Sequence, residues 1–158
     1  MSHLQRSVVL VKPDALQRGL VGDIVSRFER KGLKLIAVKM THLTDKILDR
    51  WYVHHKDKPF FKDLKKFMMS SPVIAMLWEG MECISAVRKL CGETAGYEAE
   101  AGSIRGDLSM SGQHNVIHAS DGAETAKKEQ QLIFDEEEIY DYDKGEYLWV
   151  YSLEERDE

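Results

Sequence analysis

The apolar positions of this chain follow two spacings, one typical of strands and the other typical of helices. Residues 7–11 form a continuous β-branched and leucine run, which predicts a strand that is buried on both faces. From Val21 to Phe28 the apolar positions recur every three or four residues, which predicts a one-sided helix that ends at Gly32. The chain therefore begins with a buried strand followed by an amphipathic helix.

The same change of period repeats along the rest of the chain. The further predicted elements are a strand over residues 33–40, a short helix from its N-cap Thr44 through Trp51, a helix over 60–68, a strand over 72–78, a helix over 81–91, a long loop of small residues over 92–112, a strand over 115–121 and a helix over 122–134. This order predicts an α+β sandwich in which helices cover one face of a four-stranded sheet.

The composition is that of a soluble globular protein with one domain, with 43% apolar and 31% charged positions among 158 residues. Residues 1–6 are polar and no apolar run reaches membrane length, so a cytoplasmic location without membrane contact is expected. Cys83 and Cys91 are eight positions apart in one predicted helix, without the spacing of a metal site. They are predicted to be packing thiols.

The net charge of −5 is unevenly distributed along the chain. Residues 135–158 carry 11 acidic and 2 basic residues, which leaves 20 basic and 16 acidic residues in 1–134. The mildly positive body suits an anionic ligand, whereas the acidic tail disfavours nucleic acid. For the aromatic residues of the tail, C-terminal packing or a subunit contact is favoured over a stacking platform: Tyr140, Tyr142, Tyr147, Trp149 and Tyr151.

One predicted strand carries a histidine among apolar residues. Strand alternation places His118 and Ser120 on the same face as Val116. Asp121, with Glu124 three residues later, matches a capping box, so a helix is predicted to begin beside the imidazole and to favour phosphate there. The alternative is a hydrogen-bonded core histidine, which is the more common state of a lone histidine on an apolar face.

Three separate positions add fixed positive charge. Lys12 follows the first strand, Arg88 lies in a predicted helix and Arg105 lies in the long loop. Together with an imidazole, such cations suit phosphoryl transfer, in which charge on the phosphate oxygens must be neutralised. By itself Arg88 is equally compatible with an arginine that reaches solvent at the rim of the core. Glu129 lies on or beside the inner face of its helix, where a carboxylate requires a partner.

Four segments, taken in order, resemble the nucleoside diphosphate kinase family: residues 9–14 (Val-Leu-Val-Lys-Pro-Asp), 58–61 (Lys-Pro-Phe-Phe), 104–107 (Ile-Arg-Gly-Asp) and 115–121 (Asn-Val-Ile-His-Ala-Ser-Asp). The resemblance covers nearly the whole chain. It implies a ferredoxin-like α+β sandwich with a four-stranded antiparallel sheet. It also implies a single nucleoside diphosphate kinase-like domain over residues 1–158, with the acidic tail from about 135.

The resemblance further implies an activity. His118 would take the terminal phosphate of a nucleoside triphosphate and pass it to a diphosphate in a ping-pong cycle through phosphohistidine. Mg2+ would bridge the nucleotide phosphates without a direct protein ligand. The substrates would be ATP, GDP and other nucleotides, and the assembly would be a homo-oligomer, commonly a hexamer.

Site residues are carried over only where this sequence matches the family pattern. The matching catalytic positions are Lys12, Tyr52, Asn115, His118, Ser120 and Glu129. The matching nucleotide-binding positions are Lys12, Phe60, Leu64, Arg88, Thr94, Arg105 and Asn115. Phe60 and Leu64 would sandwich the base, and because every base has a π-face, such stacking predicts broad specificity.

Five positions depart from that pattern. His54 stands where the family often has a carboxylate that supports the site serine, which predicts a more pH-sensitive activity. Gly96 and Ala101 replace prolines of a loop that supports subunit contacts in relatives, which predicts weaker assembly. Gly112 and His114 alter the segment expected to contact the base edge. His54 and His114, like His55, are otherwise expected to be solvated.

Two other functional classes remain open at this point. One is a catalytically idle family member that serves as a nucleotide-binding or assembly module, although such a module does not need the nucleophile. The other is protein-histidine phosphotransfer or nucleic-acid binding, which the acidic tail disfavours because it repels backbone phosphate.

Overall fold

The computed structural model describes residues 3–157 and contains one four-stranded sheet. Its strands are β1 Leu4–Val11, β2 Lys34–Thr41, β3 Val73–Met81 and β4 Ile117–Ala119, in the spatial order β2-β3-β1-β4. All three pairs of neighbouring strands are antiparallel. The predicted α+β class and the antiparallel four-stranded sheet are confirmed.

Helices connect and cover these strands. They are α1 Pro13–Gln17, α2 Val21–Lys31, α3 Asp45–Trp51, α4 Phe61–Met68, α5 Cys83–Cys91, α6 Ile104–Leu108, α7 Ala123–Ile133, α8 Tyr147–Val150 and α9 Leu153–Asp157, with short 3-10 turns at Val53–His55 and Glu136–Glu138. Among the residues that the structure describes, no helix combines the length and apolar character needed to cross a bilayer.

The expectation that helices cover one face of the sheet is wrong, because both faces are covered. Val9 and Val11 of β1 pack with α2 and α5, whereas Val8 and Leu10 pack with α3, α4 and α7. The reason lies in the β1 sequence, since a continuous apolar run presents apolar side chains to both faces and both must be removed from water.

The ends of several helices follow the predicted capping chemistry. Gly32 ends α2 in a left-handed conformation with φ of 99°, and the Thr44 hydroxyl caps α3 by accepting from the Ile47 amide at 3.2 Å. The predicted capping box of Asp121 and Glu124 is wrong. Gly122 occupies the N-cap of α7 without a side-chain cap, so Asp121 lies one residue too early.

The long loop between α5 and β4 is more ordered than its composition predicted. It contains α6, which is capped by the Ser103 hydroxyl accepting from the Gly106 amide at 3.0 Å. At Gly96 the backbone amide donates to the Ser111 carbonyl at 3.0 Å, and an added Cβ would overlap the Ser109 carbonyl. A proline at position 96 would lose that hydrogen bond and would clash with the Ser109 carbonyl, so this loop conformation requires the glycine.

The C-terminal segment returns to the edge strand β2. The Tyr140 amide donates to the Ile36 carbonyl at 2.8 Å, where β2 has a bulge. The Tyr142 hydroxyl donates to the Leu35 carbonyl at 2.6 Å, and its ring lies 4.6 Å from the Lys34 Nζ. The predicted C-terminal packing is therefore confirmed for this part of the segment.

The outer part of the C-terminal segment is less uniform. Tyr147 also lies near the Lys34 ammonium, at 5.9 Å, and the Tyr151 hydroxyl accepts from the Met81 amide at 3.1 Å. By contrast, the Trp149 side chain is 90% exposed. Both cysteines are buried and unpaired in α5, as predicted for packing thiols.

Candidate active site

His118 lies at the centre of a hydrogen-bonded group of three side chains. Its Nε2 atom is 2.7 Å from one oxygen of Glu129, and the Ser120 hydroxyl donates to the other oxygen at 2.6 Å. The Val8 amide of β1 donates to the same hydroxyl at 3.0 Å. The side chain of His118 is 19% exposed, whereas Glu129 is 4% exposed. The costly carboxylate on the inner face of α7 therefore has two partners.

This geometry fixes the tautomer of the neutral imidazole. A carboxylate accepts hydrogen bonds, so Nε2 carries the proton that it shares with Glu129, and Nδ1 keeps its lone pair. The indole of Trp51 lies 5.3 Å from the His118 ring, edge to face at 69°, and limits rotation of that ring. The Nδ1 lone pair is therefore available for chemistry, and the ring is held in one orientation.

Tyr52 places a protonated hydroxyl near the same carboxylate. Burial raises the pKa of the Tyr52 phenol to about 12, and the negative charge of Glu129 contributes in the same direction. The phenol consequently remains a hydrogen-bond donor at neutral pH. Its ring packs edge to face against Phe61, at the start of α4.

The backbone immediately before His118 forms a strained γ-turn. The Ile117 amide donates to the Asn115 carbonyl at 2.8 Å, and Val116 between them has φ of 63°. A positive φ in a β-branched residue is unusual, and such strain amounts to roughly 1–3 kcal/mol. The prediction that Val116 shares a face with His118 is wrong: the turn interrupts strand alternation and Val116 packs in the same core as Ile117.

Residues 12–14 hold this turn at its central residue. The Lys12 amide donates to the Val116 carbonyl at 2.9 Å, and the Asp14 carboxylate accepts from the Val116 amide at 3.1 Å. Both backbone groups of the strained residue are therefore bound by the segment that follows β1. This contact has no local signal in the sequence, because valine is among the residues least expected at positive φ.

Arg105 holds the same turn from the other side. Its Nε donates to the Asn115 carbonyl at 3.2 Å and its Nη2 donates to the Ile117 carbonyl at 2.7 Å. Its Nη1 donates to the Gly92 carbonyl at 2.9 Å. Three of the five guanidinium N–H groups therefore bind backbone, and one remains on each Nη. Burial lowers the pKa of Arg105, and the charge of Arg88 acts in the same direction.

Lys12 is a buried cation beside this group. Its Nζ donates to the Asn115 side-chain oxygen at 2.7 Å, and the residue is 8% exposed. Burial, and then the positive charge of Arg105, lower the pKa of Lys12 to about 8, while Asp14 opposes the change. The Asn115 amide nitrogen in turn donates to the Thr94 carbonyl at 3.0 Å. The structure thus brings together the predicted residues Lys12, Thr94, Arg105 and Asn115.

Arg88 lies on the exposed side of α5. With Gly92, Ser103 and Asp121 it lines a cavity of about 600 Å³. His118 does not line this cavity, although Asp121 follows it by three residues. Arg88 is therefore placed at an open surface next to the buried group, within reach of electrostatic interaction with Arg105.

The predicted base-contact residues lie at α4, where the surface is more open. Phe60 is 48% exposed at the start of α4, and Leu64 is half-buried against the core beneath that helix. The ring of His55 is 5.5 Å from the Phe60 ring, and the His114 ring stacks on Phe67 at 4.4 Å and 10°. That stack joins the segment over residues 110–114 to α4, and His114 remains exposed, as expected for a solvated histidine.

The predicted support of Ser120 by His54 is not found. His54 is exposed in the 3-10 turn before α4. The Ser120 hydroxyl is engaged with Glu129 and with the backbone of Val8, and no hydrogen bond among residues 3–157 joins it to His54. The expectation that His54 makes the activity pH-sensitive therefore loses its structural basis.

Comparisons with known proteins agree over nearly the full chain. The family model described as nucleoside diphosphate kinase matches residues 5–139. A nucleoside diphosphate kinase of Parabacteroides distasonis is 48% identical over 152 residues, which is 96% of this chain and 99% of that protein.

Two solved structures share the fold. A halophilic nucleoside diphosphate kinase from Halobacterium salinarum, solved in complex with CDP, has a TM-score of 0.91 at 44% identity and covers 95% of this chain and 100% of that chain. A transition state mimic of the Borrelia burgdorferi nucleoside-diphosphate kinase, with bound vanadate and ADP, has a TM-score of 0.88 at 36% identity. The match covers 96% of this chain and 100% of that chain. Because the family model and these relatives match nearly all of its length, the chain belongs to the nucleoside diphosphate kinase family of phosphotransferase enzymes.

Proposed function

We propose that this phosphotransferase carries phosphate on His118 as it transfers the terminal phosphate of a nucleoside triphosphate to a nucleoside diphosphate. The observation that supports this most strongly is the bond between His118 Nε2 and Glu129, which leaves the Nδ1 lone pair as the nucleophile. Ser120 completes the network by fixing the other oxygen of the carboxylate.

Each half of the cycle exchanges one bond for another. The Nδ1 lone pair attacks the terminal phosphorus of the triphosphate, an N–P bond forms, and the bridging P–O bond breaks with its electrons on the departing diphosphate. In the second half, a terminal oxygen of the acceptor diphosphate attacks the same phosphorus and the N–P bond electrons return to Nδ1. Glu129 balances the positive charge on the ring while the N–P bond exists.

The cations serve to bind and neutralise the phosphates. Lys12 is charged at neutral pH, and its only hydrogen-bond partner among residues 3–157 is the neutral amide of Asn115, so its ammonium keeps N–H groups for a bound phosphate. Arg105 keeps one N–H on each Nη for phosphate oxygens, and Arg88 adds a second guanidinium at the open side. The Tyr52 hydroxyl donates a hydrogen bond to the transferring phosphate.

The nucleoside is held by two buried residues at the ribose and by a more open surface at the base. Asn115 and Lys12 bind the ribose, the Thr94 side chain, which is exposed, binds phosphate, and the base lies against Phe60 and Leu64. A half-exposed aromatic face stacks on any base, so broad nucleotide use is expected.

Mg2+ is the proposed divalent ion, because it binds mainly through the phosphates of a nucleotide. Among residues 3–157 no cluster of three possible ligands is formed, but Asp121 lines the cavity next to Arg88 and offers a carboxylate to the ion or its waters. Mg2+ typically keeps several waters and binds mainly through substrate phosphates, where it neutralises charge on the transferring group.

We also propose a homo-oligomer, most commonly a hexamer, in the cytoplasm. The edge strand β2 exposes Val38 and Met40, which gives a second copy an apolar surface to pack against. Sedimentation velocity of the purified chain distinguishes the hexamer from a tetramer or dimer.

The test of the proposed function is phosphate labelling. Incubation with terminally labelled ATP and magnesium should give an acid-labile phosphoryl group on the wild-type chain, and addition of GDP should convert it to labelled GTP. His118→Ala should show no label. His42→Ala, which removes an exposed histidine that contacts Met69, should label normally and serves as the matched control.

Two outcomes would contradict the proposal. The first is a wild-type chain that folds but is never labelled, and tight nucleotide binding in that case would favour the idle binding module. The second is a His118→Ala variant that still acquires acid-labile phosphate.

A further inference from the structure

We propose that Asp14 is a positioning residue, which orients the nucleophile by holding the γ-turn at Val116 in its strained conformation. The inference rests on the proposed role of His118. It assigns a function to a carboxylate that does not touch the imidazole and lies outside the hydrogen-bonded group around Glu129.

The turn requires an external acceptor at its centre. Val116 is fully buried, so its amide has no access to water, and its φ of 63° is unfavourable for a β-branched side chain. Arg105 binds the carbonyls on either side of Val116, and the Lys12 amide binds its carbonyl, but these groups are donors. Among the residues that the structure describes, the Val116 amide is bound by Asp14 alone.

The start of α1 fixes the Asp14 carboxylate next to the Val116 amide. It is the second residue of α1, directly after Pro13, whose ring fixes the backbone and which is itself buried. One carboxylate oxygen accepts from the Val116 amide, and the other is enclosed without a hydrogen-bond partner among residues 3–157. The carboxylate is therefore committed to the turn and is not shared with a competing donor.

The turn sets the direction of the nucleophile because β4 is so short. The strand begins at Ile117, immediately after the turn, and His118 is its second residue, opposite Leu10 of β1. If Val116 relaxed to an extended conformation, the chain would enter β4 at a different angle. The His118 Nε2 atom would then move away from Glu129, and Nδ1 would lose its orientation toward the phosphate.

Kinetics of a variant series test this inference. Asp14→Ala should slow phosphorylation of His118 about tenfold or more, with the KM for ATP changed less than about twofold, because a misplaced nucleophile affects the chemical step. Asp14→Asn retains an acceptor for the Val116 amide without the charge, so it should stay within about threefold of wild type. Asp23→Ala, which removes an exposed carboxylate paired with Arg27, is the matched control and should have no effect.

A second-site variant tests the strain itself. Glycine adopts positive φ without strain, so in a Val116→Gly background the turn no longer needs its clamp. There, Asp14→Ala should cost less than about threefold relative to Val116→Gly alone. If Asp14→Ala by itself does not fold, the inference predicts that the double variant, Asp14→Ala with Val116→Gly, folds and is labelled.

Nitrogen-15 spectra of histidine-labelled protein give a readout that does not depend on turnover. The His118 signal, assigned by its loss in His118→Ala, should show the proton on Nε2 in wild type and in Asp14→Asn. In Asp14→Ala that proton signature should be lost or exchange-broadened. This measurement also separates the two proposals, because a wild-type chain that is never labelled overturns the phosphocarrier role while the spectra still report positioning.

Three outcomes overturn the inference. Asp14→Ala could phosphorylate His118 at the wild-type rate, Asp14→Asn could be as slow as Asp14→Ala, or the loss caused by Asp14→Ala could be the same with valine and with glycine at position 116.

Discussion

The two ends of the candidate site are held in opposite ways. At the end that carries the nucleophile, Glu129 is 4% exposed and is bound on both oxygens at 2.6–2.7 Å by Ser120 and His118. At the end that is proposed to receive the base, Phe60 is 48% exposed, and its ring lies beside the His55 ring and the Lys58 ammonium. The proposed reacting group is thus fixed, and the proposed base contact lies on an open surface.

This difference shows which part of the candidate site needs a fixed orientation. A nucleophile must be oriented within a narrow range for transfer to occur, so buried hydrogen bonds around it increase the rate. A base that differs between substrates gains little from such bonds, because a donor or acceptor that fits one base is left unpaired by another. Stacking on an open ring avoids that penalty.

The largest expected effect comes from breaking the buried end at its carboxylate. Glu129→Gln removes the charge that stabilises the imidazole and leaves one of two partners mismatched, so kcat should fall about 100-fold while KM changes little. Steady-state kinetics with ATP and GDP measure both constants. Glu124→Gln, on the exposed side of the same helix, should match wild type. A loss confined to KM would show that Glu129 binds substrate and does not orient the nucleophile.

The next effect concerns Lys12, the buried cation that binds the Asn115 side chain. Its pKa in the folded chain is about 8, so its ammonium is charged below that pH and neutral above it. Because kcat/KM reports the free enzyme, it should fall up to about tenfold per pH unit above pH 8. Lys12→Arg should remove that decline, since a guanidinium does not titrate in this range. An unchanged alkaline decline in Lys12→Arg would assign it to another group.

The stability of the chain should change with pH in the opposite sense. The unfolded chain holds the Lys12 proton up to about pH 10.5, whereas the folded chain releases it near pH 8, so the unfolded state binds more protons between these values. The free energy of unfolding therefore rises with pH across that window, by at most roughly 3 kcal/mol from this residue. Urea unfolding of wild type against Lys12→Met, which lacks the buried charge, isolates this contribution.

The smallest effect is expected at the open end. Phe60→Ala should raise KM about fivefold for ATP, GTP and CTP alike, with kcat within about twofold, because an exposed stacking contact contributes the lower end of its usual 1–3 kcal/mol. Phe60→Tyr keeps the ring and should restore KM. A KM change for one base only, or a large loss of kcat, would mean that this end is organised like the buried one.

The parts of the site that sequence could predict are those in which a polar residue interrupts an apolar pattern. His118 and Ser120 stand out in an apolar strand, and Glu129 stands out on the inner face of a helix, because each needs a buried partner. Gly32 and Thr44 likewise ended or began helices as predicted, since their effect is local to the backbone.

The parts that sequence could not predict depend on contacts between distant segments. Val116 carries no local signal for a γ-turn, and its conformation is held by groups more than 100 positions away, at Lys12 and Asp14. The hydrogen bonds from Arg105 to backbone carbonyls could not be predicted for the same reason. An arginine in a sequence carries no signal that distinguishes a guanidinium bound to carbonyls from one bound to phosphates. The placement of helices on both faces was missed although the β1 run was itself predicted to be buried on both sides.

The bulge in β2 has a consequence for how copies of this chain meet one another. An edge strand offers unpaired backbone groups to any passing strand and so favours aggregation. Here the Tyr140 amide donates a hydrogen bond to the Ile36 carbonyl, and the Tyr142 hydroxyl donates one to the Leu35 carbonyl. Among residues 3–157, no strand pairs with the outer side of positions 37–41. Strand addition is therefore confined to a short stretch, where it can be selective, and the acidic C-terminal segment protects the rest of the edge.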